Sequence, residues 1–331
     1  MSVDLGQFKG RRALITGGAG FLGSNLAIAL VEAGAEVTVV DNFLPGHGAN
    51  RYNLEPVQGR LHLNIADIRD ADSMNQLVRD QDFIFHLAGQ VNHVDSIRDP
   101  LRDLDINCRG SLVLLEACRM FNRQAVVIFS GTRGQYGPST RLPVDETHPM
   151  NPKGMYAITN MTAEKMFQVY HQVHGVRSVC LRITNTFGPR HQMKHDQYGV
   201  ANWFVRRALS RETIDVFGDG RILRDYVYVA DTVRAFLAVA LTQACYGEVF
   251  NVGGGVPTSF IQLAQLIVEV AGEGSVRFTE FTRERQELEP GDYVADASKI
   301  AAAVGWKPEV PLREGMIRTI AYYREHGRYY W

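Results

Sequence analysis

The sequence predicts an α/β protein in which a doubly wound parallel sheet is joined to a smaller lobe of mixed α/β structure. In the first half, short apolar runs alternate with segments whose apolar residues recur at helical spacing. Strands separated by single helices form right-handed βαβ units, which place the strands parallel within one sheet. After about residue 185 the alternation loosens, and glycine, proline, short strands and helices are mixed. This change of pattern predicts the second, smaller lobe.

The first lobe is predicted from runs rich in β-branched and aromatic residues, such as EVTVV and DFIFHL. We expect its strands at 12–16, 36–40, 61–65, 82–87, 125–130 and 176–183, and its helices at 21–33, 71–78, 101–120 and 155–171. In the second half we expect strands at 214–217, 224–229 and 248–252, and helices at 200–209, 230–241 and 259–270. The predicted division is 1–184 for the sheet lobe, with returning segments near 214–255, and 185–331 for the interleaved second lobe.

Size and charge limit the classes of function. A chain of 331 residues is longer than one compact core usually needs and suits two packed lobes. A hydrophobic fraction of 45% and a charged fraction of 21% are typical of globular proteins and argue against disorder. The formal net charge of −1 predicts no broad basic face, so neither nucleic acid nor an anionic membrane is an expected partner.

The cysteines and the first residues bear on the compartment. The four cysteines form no Cys-x-x-Cys pair and no metal-finger spacing, so we expect free thiols in a reducing compartment and no metal site. The amino terminus leads into a strand without the apolar core of a signal peptide. The sequence has no apolar run of about 18 residues, so no membrane span is expected and the predicted location is cytoplasmic.

A glycine loop follows the first predicted strand and opens the first predicted helix. Gly17, Gly20 and Gly23 allow a tight turn, close approach of the backbone to a ligand and close helix packing. The helix amino terminus beyond them offers free N–H groups and a positive dipole end to a pyrophosphate. Asp41, at the end of the second strand, would accept hydrogen bonds from a ribose diol and repel a 2′-phosphate. The sequence therefore predicts a Rossmann-type domain that binds NAD rather than NADP.

Further motifs follow the glycine loop in order along nearly the whole chain. They are Asp67-Ile68, His86-Leu87-Ala88-Gly89, Asn107 in DINCRG, Tyr136-Gly137, Tyr156, Asn185 in RITNTFGPR, Arg224-Asp225-Tyr226, Asn251-Val252-Gly253-Gly254 and Ala295-Asp296. Together with the Gly-x-x-Gly-x-x-Gly spacing, this series resembles the extended short-chain dehydrogenase/reductase family, in its NAD-dependent sugar-nucleotide epimerase/dehydratase branch.

The resemblance implies a cofactor site at the ends of the first strands and on the helix that begins near residue 155. The residues expected to bind NAD are Gly17, Gly20, Phe21, Leu22, Gly23, Asp41, Asn42, Asp67, Ile68, Leu87, Ala88, Gly89, Asn107, Tyr156 and Asn160. Family members form dimers, and the predicted helices 101–120 and 155–171 carry apolar residues on more than one face. We therefore expect a homodimer.

The resemblance also implies a nucleotide-diphosphate sugar as the substrate. The residues expected to bind it are His93, Thr132, Asn185, Arg190, Arg224 and Arg285. A buried diphosphate needs forked, permanently charged donors, which agrees with the arginines. The segment RERQELEPGDYVAD is offset from the spacing usual in the family, so Arg283 is an alternative to Arg285. His93 and Asp95 follow the fourth strand, and each is a candidate acid or base; the alternative for His93 is a loop histidine bound to backbone.

The catalytic centre of the family consists of a tyrosine, a serine or threonine, and a lysine four residues after the tyrosine. Tyr156 and Thr132 match the first two, but Asn160 stands where the lysine is expected. The lysine lowers the pKa of the tyrosine, which is near ~10 when unperturbed. Lys165 does not replace it, because nine residues correspond to about 180° around a helix and four residues to about 40°.

Three interpretations of the missing lysine remain open. In the first, another cation replaces it, and Arg133, Lys153 and Lys194 are the candidates. In the second, Tyr156 acts slowly as a base with a weakly shifted pKa. In the third, the protein binds its ligands without turnover.

The residues after Thr132 discriminate between the reactions of the family. Dehydratases carry Thr-Asp-Glu there and UDP-glucuronate decarboxylases usually Thr-Ser-Glu, whereas this chain has Thr132-Arg133-Gly134. The lack of both carboxylates disfavours dehydration and, less strongly, decarboxylation. The stretches GFLGSNLA, FHLAGQV and DQYGVANWF also resemble those of CDP-tyvelose epimerases.

We therefore predict an NAD-dependent nucleotide-sugar epimerase that oxidises a hydroxyl transiently and keeps its NAD tightly bound. The alternatives are a nucleotide-sugar decarboxylase or dehydratase of the same family, a reductase that exchanges its cofactor, and a non-catalytic protein that binds NAD and a nucleotide sugar.

Overall fold

The computed structural model describes residues 4–195 and 198–331, except for the side chains of residues 284 and 285. The strands in this part of the chain are β1 (Arg12–Thr16), β2 (Glu36–Val40), β3 (His62–Asn64), β4 (Phe83–His86), β5 (Val126–Thr132), β6 (Arg177–Ile183), β7 (Asn185–Phe187), β8 (Thr213–Phe217), β9 (Leu223–Tyr228), β10 (Val249–Val252), β11 (Pro257–Ser259) and β12 (Ser275–Thr279).

The helices in the same part of the chain follow the strands in the expected alternation. They are α1 (Phe21–Glu32), α2 (Ala71–Leu77), α3 (His93–Arg98), α4 (Pro100–Leu104), α5 (Gly110–Phe121), α6 (Met155–His174), α7 (Val200–Leu209), α8 (Val229–Ala240), α9 (Phe260–Ala271), α10 (Arg283–Leu288), α11 (Ser298–Val304) and α12 (Leu312–His326). None of these helices is long and apolar enough to cross a membrane.

Seven parallel strands form the large sheet, in the order β10-β6-β5-β4-β1-β2-β3. Side chains alternate between its two faces. Ala13 and Ile15 of β1 pack in the core that also contains α1 and α8, whereas Leu14 packs in the core that contains α2, α5 and α6. Helices therefore cover both faces, which makes this a doubly wound, Rossmann-type sheet.

The strand order places a crevice beside β1. From β1 the chain proceeds to β2 and β3 on one side of the sheet, and β4, β5 and β6 lie on the other side. The loops that leave β1 and β4 diverge at this point, and ligands of open α/β sheets bind in the gap at the carboxyl ends of the strands.

The smaller lobe has its own core and two small sheets. One sheet has the order β11-β9-β7, and the other pairs β8 with β12 in parallel. Helices α7, α9 and α12 pack on these strands through side chains such as Phe204, Leu263 and Ile320. This lobe covers the crevice from the side of β6.

The six strands predicted in the first half are all present. The single helix predicted at 101–120 is wrong in detail, because α4 and α5 are separated by a π-helical turn at Asp105–Arg109. Within the predicted returning segment, α8 and β10 pack on or pair with the large sheet, whereas β8 and β9 pair in the small sheets. Short strands such as these pair according to partners that are distant in sequence, so local pattern does not assign their sheet.

Candidate active site

Loops at the carboxyl ends of β1, β2, β4, β5 and β6 enclose one large cavity. Its volume is about 760 Å³, and residues of both lobes line it. The wall runs from the glycine loop after β1, past the start of α6, to aromatic side chains of the smaller lobe. A cavity of this size with polar groups at defined places is typical of a cofactor or substrate site.

The glycine loop leaves space that any side chain would fill. Gly17 has φ of +68°, and a Cβ at this position would lie 2.7 Å from the backbone nitrogen of Ala88. A Cβ at Gly23 would lie 2.3 Å from the carbonyl oxygen of Gly17. Gly20 caps α1 without a side-chain hydrogen bond, so the first N–H groups of the helix remain available to a ligand. This cradle fits a pyrophosphate.

Asp41 lies at the end of β2 and lines the cavity. Its carboxylate accepts hydrogen bonds from the backbone N–H groups of Ala19 at 3.1 Å and Phe43 at 3.0 Å. Burial raises the pKa of this carboxyl, and the two hydrogen bonds oppose that effect. The carboxylate is thus fixed at the position where a ribose diol of a dinucleotide would donate to it.

Asp67 and Asn42 form the outer wall near Asp41. The Asn42 side-chain amide donates to Asp67 at 2.8 Å, and Arg69 donates to the same carboxylate at 2.7 and 2.8 Å. Hydrogen bonds from Arg69 hold the pKa of Asp67 well below its usual range. Ile68 is buried beside them and lines the cavity.

The floor beneath the crevice is held by a buried chain of hydrogen bonds that sequence reasoning missed. The His86 imidazole bonds to the Thr16 hydroxyl at 2.8 Å and to the Ser111 hydroxyl at 3.0 Å. Burial lowers the pKa of His86 to about 4, so the ring is neutral. Asn107 accepts from the backbone N–H of Gln90 at 2.8 Å and donates to its carbonyl at 3.1 Å. These bonds fix the segment that contains Leu87, Ala88 and Gly89, all of which line the cavity.

Tyr156 and Thr132 both line the cavity and are hydrogen-bonded to each other. Tyr156 lies in the first turn of α6, and Thr132 ends β5. Burial raises the pKa of Tyr156 and the charge of Asp103 adds to the increase, whereas a hydrogen bond with Thr132 and the charge of Arg133 lower it. The pair therefore has the arrangement of a proton acceptor and a hydroxyl that holds the same substrate oxygen.

Asn160 lies one turn after Tyr156 on the same face of α6. Its side-chain amide donates to the Tyr156 carbonyl at 2.8 Å, and the residue lines the cavity. Its amide oxygen remains available as an acceptor, but the side chain supplies no charge. Lys165 is exposed and donates to Gln168 at 2.9 Å, and it does not line the cavity.

The three cations proposed to replace the missing lysine differ in their position relative to the cavity. Arg133 lines the cavity and lies near enough to Tyr156 to lower its pKa. Burial lowers the pKa of Arg133 to about 10, so it still carries its charge at neutral pH. Lys153 also lines the cavity but donates to the carbonyl of Glu289 at 3.2 Å. Lys194 is exposed and does not line the cavity.

His93 begins α3 and faces the cavity beside Tyr156. The two ring centroids are 4.6 Å apart in an edge-to-face arrangement. Desolvation lowers the pKa of His93 to about 4, and the charges of Arg133 and Arg224 add to the effect, so the imidazole is neutral. Asp95 instead accepts from the Asn92 side chain at 2.7 Å and does not line the cavity.

Arg224 is buried at the cavity wall, but its charge is compensated. Its guanidinium forms an ion pair with Glu289 and donates to the carbonyls of Leu223 at 3.0 Å and Gly291 at 2.7 Å. Sequence reasoning did not identify Glu289, because 65 residues separate the two partners. Asn185 lines the cavity with its side-chain amide donating to the Asp225 carbonyl at 3.0 Å.

Two expected substrate residues point elsewhere. Arg190 donates to the Asn25 side chain at 3.0 Å and lies over the ring of Tyr322, outside the cavity wall. Arg283 is exposed and pairs with Glu287 at 2.9 Å. The side chain of Arg285, the other arginine expected near the diphosphate, lies outside the described residues.

The far end of the cavity is aromatic, which the sequence analysis did not foresee. Its wall is formed by side chains of α7, β8, α9 and the segment after β12, namely Trp203, Phe217, Phe260 and Phe281. Flat aromatic faces at this end suit a planar ring such as a nucleobase. Among the described residues, no group of three or more His, Cys, Asp or Glu side chains is arranged to hold a metal ion.

Comparisons with a family model, with known sequences and with solved structures each find proteins similar to this chain. Residues 13–253 match the model of the NAD dependent epimerase/dehydratase family. The chain is 33% identical to a putative UDP-glucose 4-epimerase of Methanocaldococcus jannaschii, over 95% of this chain and 99% of that protein. It is 34% identical to UDP-glucuronic acid decarboxylase 1 of Xenopus tropicalis, over 95% of this chain and 72% of that protein. The structure of a UDP-glucose 4-epimerase with UDP-glucose from Thermotoga maritima is similar with a TM-score of 0.88 and 33% identity, over 95% of this chain and 99% of that chain.

The position of Asp41 predicts the cofactor preference. Asp41→Asn removes the charge without changing side-chain size, so the affinity for NAD should fall roughly tenfold or more. The affinity for NADP should not fall, because the repulsion of its 2′-phosphate is removed. Calorimetric titration of the protein freed of cofactor measures both. Asp70→Asn removes a charge from the amino-terminal cap of α2, outside the cavity wall, and should change neither affinity. Tighter binding of NADP than of NAD by the unsubstituted protein would refute the role of Asp41.

Proposed function

Because the chain belongs to the NAD-dependent epimerase/dehydratase family, we propose that it is a nucleotide-sugar epimerase. The observation that carries this proposal is the meeting of Tyr156 and Thr132 at the cavity wall, between the glycine cradle and the aromatic end. The cradle fits the dinucleotide, and the remaining length of the cavity leaves room for a nucleotide-linked sugar.

In the proposed reaction, bound NAD would accept the hydride in the first half, and the NADH so formed would return it in the second. Tyr156 takes the proton of the sugar hydroxyl when that carbon is oxidised, and returns it when the carbon is reduced from the opposite face. Thr132 holds the same oxygen through a hydrogen bond. Asn160 lines the cavity with its amide oxygen available, so it would accept a hydrogen bond from a hydroxyl of the bound cofactor.

The carboxylates around the cavity favour epimerisation over the alternatives. Elimination of water needs an acid and a base beside the reacting carbons. The residues next to Thr132 are Arg133 and Gly134, and Glu289 is occupied by Arg224. Asp41 lies at the cofactor end, where it accepts from backbone N–H groups. Asp103, whose charge raises the pKa of Tyr156, accepts from the Thr159 hydroxyl at 2.6 Å and does not line the cavity. The carboxylates of Asp41, Asp103 and Glu289 are therefore not placed to carry out dehydration at the Tyr156–Thr132 pair.

We infer that Arg133 is the cation that takes over part of the role of the missing lysine. It is the candidate that lines the cavity, lies close to Tyr156 and has no protein acceptor within the described chain. Its effect is incomplete, because the pKa of Tyr156 remains above the ordinary value for tyrosine. The base should thus be mostly protonated at neutral pH.

The proposed base predicts an alkaline pH profile. With the pKa of Tyr156 raised, kcat/KM should rise about tenfold for each pH unit from 7 to 9, because the phenolate fraction rises by that factor. Asn160→Lys should raise activity at pH 7, and Tyr156→Phe should leave less than ~1% of it. Arg133→Gln should lower it at pH 7 more than at pH 9. Rates are measured by chromatographic separation of the two epimers.

Lys165→Met provides the matched control, since this lysine is exposed on the other side of α6. It should leave the profile unchanged. Full activity in Tyr156→Phe would show that the tyrosine is not the base, and a profile that is flat between pH 7 and 9 would show that its pKa is not raised.

We also propose that two copies of the chain form a dimer through α4, α5 and α6. An apolar groove on this face is lined by Leu101, Leu104, Leu112 and Met166. Leu101 is 75% exposed, and on α6 Val169 is 50% and Val173 is 67% exposed, which is unusual for large apolar residues that share one face. A two-fold axis through this face would cover the groove residues and the exposed valines of α6 in the same interface.

Sedimentation at micromolar concentration tests the dimer. The unsubstituted protein should have twice the mass of one chain, and Leu112→Glu combined with Val169→Glu should have the mass of one chain. Ile317→Glu, at an exposed apolar residue of α12, is the control and should leave the mass unchanged. A single-chain mass for the unsubstituted protein would contradict the proposed interface.

A further inference from the structure

The positively charged side chains around the sugar end of the cavity differ in whether other residues of the protein pair with their charge. Arg224 is paired with Glu289, and Lys153 donates to the Glu289 carbonyl. Arg207, further along, is paired with Glu212 at 2.6 Å. Arg133 has neither a hydrogen-bond acceptor nor an ion-pair partner among the described residues. It is a half-buried guanidinium at the cavity wall with its donors unused.

The two carboxylates whose charges act on Arg133, Asp225 and Glu289, already have other partners. Its guanidinium carbon lies 5.2 Å from the centre of the Tyr293 ring, and Arg224 and Tyr226 lie nearby. The hydroxyls of Tyr226 and Tyr293 are buried without a hydrogen-bond partner in the described part of the chain. Unused donors in a buried place are costly unless a ligand satisfies them. A set of donors around one free cation is the chemistry that receives an anion.

The position of Arg133 indicates which part of the ligand carries that anion. Arg133 directly follows Thr132, and consecutive Cα atoms are only ~3.8 Å apart. Thr132 contacts Tyr156, where the reacting hydroxyl is held. The aromatic end that suits a nucleobase is formed by a different lobe. The charge of Arg133 also acts on Tyr156 itself, so a charged group on the sugar held at Tyr156 and Thr132 is within reach of Arg133.

We propose that Arg133 binds a carboxylate on the sugar, so that the substrate is a nucleotide-diphosphate uronate. This inference rests on the proposed function and names the substrate class of the same site. A guanidinium matches a carboxylate with two parallel hydrogen bonds, which a lysine cannot supply. Neutral hexoses would leave the charge of Arg133 unpaired at the cavity wall.

The ion pair also has a chemical consequence for the reaction. Oxidation at the carbon β to the carboxylate produces a β-keto acid, which can lose carbon dioxide as the electrons of the carbon–carbon bond move towards the ketone. Arg133 stabilises the carboxylate but not neutral carbon dioxide, so it slows this loss relative to return of the hydride. The hydride leaves and returns, the proton moves to Tyr156 and back, and the carbon–carbon bond stays intact.

A bound carboxylate should also raise the pKa of the proposed base, Tyr156. Tyr156 faces His93, Asp103 and Arg133, and Arg133 is the one that is charged positively at neutral pH. A carboxylate on Arg133 compensates that charge and removes part of the effect that lowers the pKa of Tyr156. The pH profile for a uronate should therefore lie at higher pH than the profile for the matching neutral hexose.

The binding test uses Tyr156→Phe protein loaded with NAD, in which no turnover disturbs calorimetry. The probes are UDP-glucuronate, UDP-glucose and UDP, together with glucuronate 1-phosphate and glucose 1-phosphate, which lack the base. In this background each uronate probe should bind at least roughly tenfold more tightly than its hexose counterpart. Arg133→Gln should abolish this difference in affinity between uronate and hexose. Arg133→Lys should reduce the difference, and Tyr293→Phe should reduce it a few-fold. The affinity for UDP should stay within about twofold in all variants, and thermal melting confirms folding.

Equal affinity for the uronate and hexose probes would overturn the proposal. So would an Arg133→Gln variant that weakens UDP and both sugars alike, since Arg133 would then hold the diphosphate. The two proposals fail separately. A uronate preference that depends on Arg133, with no epimer formed by Tyr156-intact protein, would retain the carboxylate site and refute the epimerase. Epimerisation of UDP-glucose without any uronate preference would retain the epimerase and refute the carboxylate site.

Discussion

The buried ion pair between Glu164 of α6 and Arg182 of β6 is the interaction on which the geometry of the site depends. Arg182 donates to both carboxylate oxygens of Glu164, at 2.7 and 2.8 Å, and both side chains are almost fully buried. Tyr156, Asn160 and Glu164 are spaced by four residues and so share one face of the helix. The ion pair thus fixes the helix that carries the proposed base to the strand beside β5, which carries Thr132. Removing one partner of such a pair costs about 3–5 kcal/mol, because the other charge stays buried and unpaired.

Arg182 also forms hydrogen bonds that connect α6 and β6 to other parts of the chain. Arg182 donates to the Tyr136 hydroxyl at 2.8 Å, and that hydroxyl donates to the Asn251 side chain at 2.7 Å. On the substrate side, Asp225 accepts from the backbone N–H groups of Gly254 at 2.8 Å and Ala295 at 3.0 Å. Burial raises the pKa of Asp225 to about 6. These bonds link the segment after β5 to β10, and β9 to the segments that contain Gly254 and Ala295, so the two lobes meet at fixed places around the cavity.

The sequence predicts the parts of the site that depend on local chemistry. The alternation of apolar runs predicts β1 to β6, and the glycine spacing with Asp41 predicts the cradle, because turn geometry and close packing restrict the residues at those positions. It does not predict pairings between distant residues. Arg224 matches a motif for a diphosphate ligand, yet Glu289 occupies it, and Arg190 turns to Asn25 instead of the cavity. The motif specifies a residue type at a position, whereas the charge available to a ligand depends on what tertiary structure brings beside it.

The missing lysine leaves a site in which the proposed base is buried, hydrogen-bonded to Thr132 and assisted from one side by Arg133. In the proposed reaction, the hydride removed from the sugar is returned before the cofactor leaves. Isotope retention tests this most directly. A nucleotide sugar deuterated at every ring carbon is converted by the NAD-loaded protein in the presence of excess unlabelled NADH, and the product is analysed by mass spectrometry. Retention of the full deuterium content in the epimer is predicted. Loss of one deuterium to water, or its replacement from the added NADH, would contradict transient oxidation by a bound cofactor.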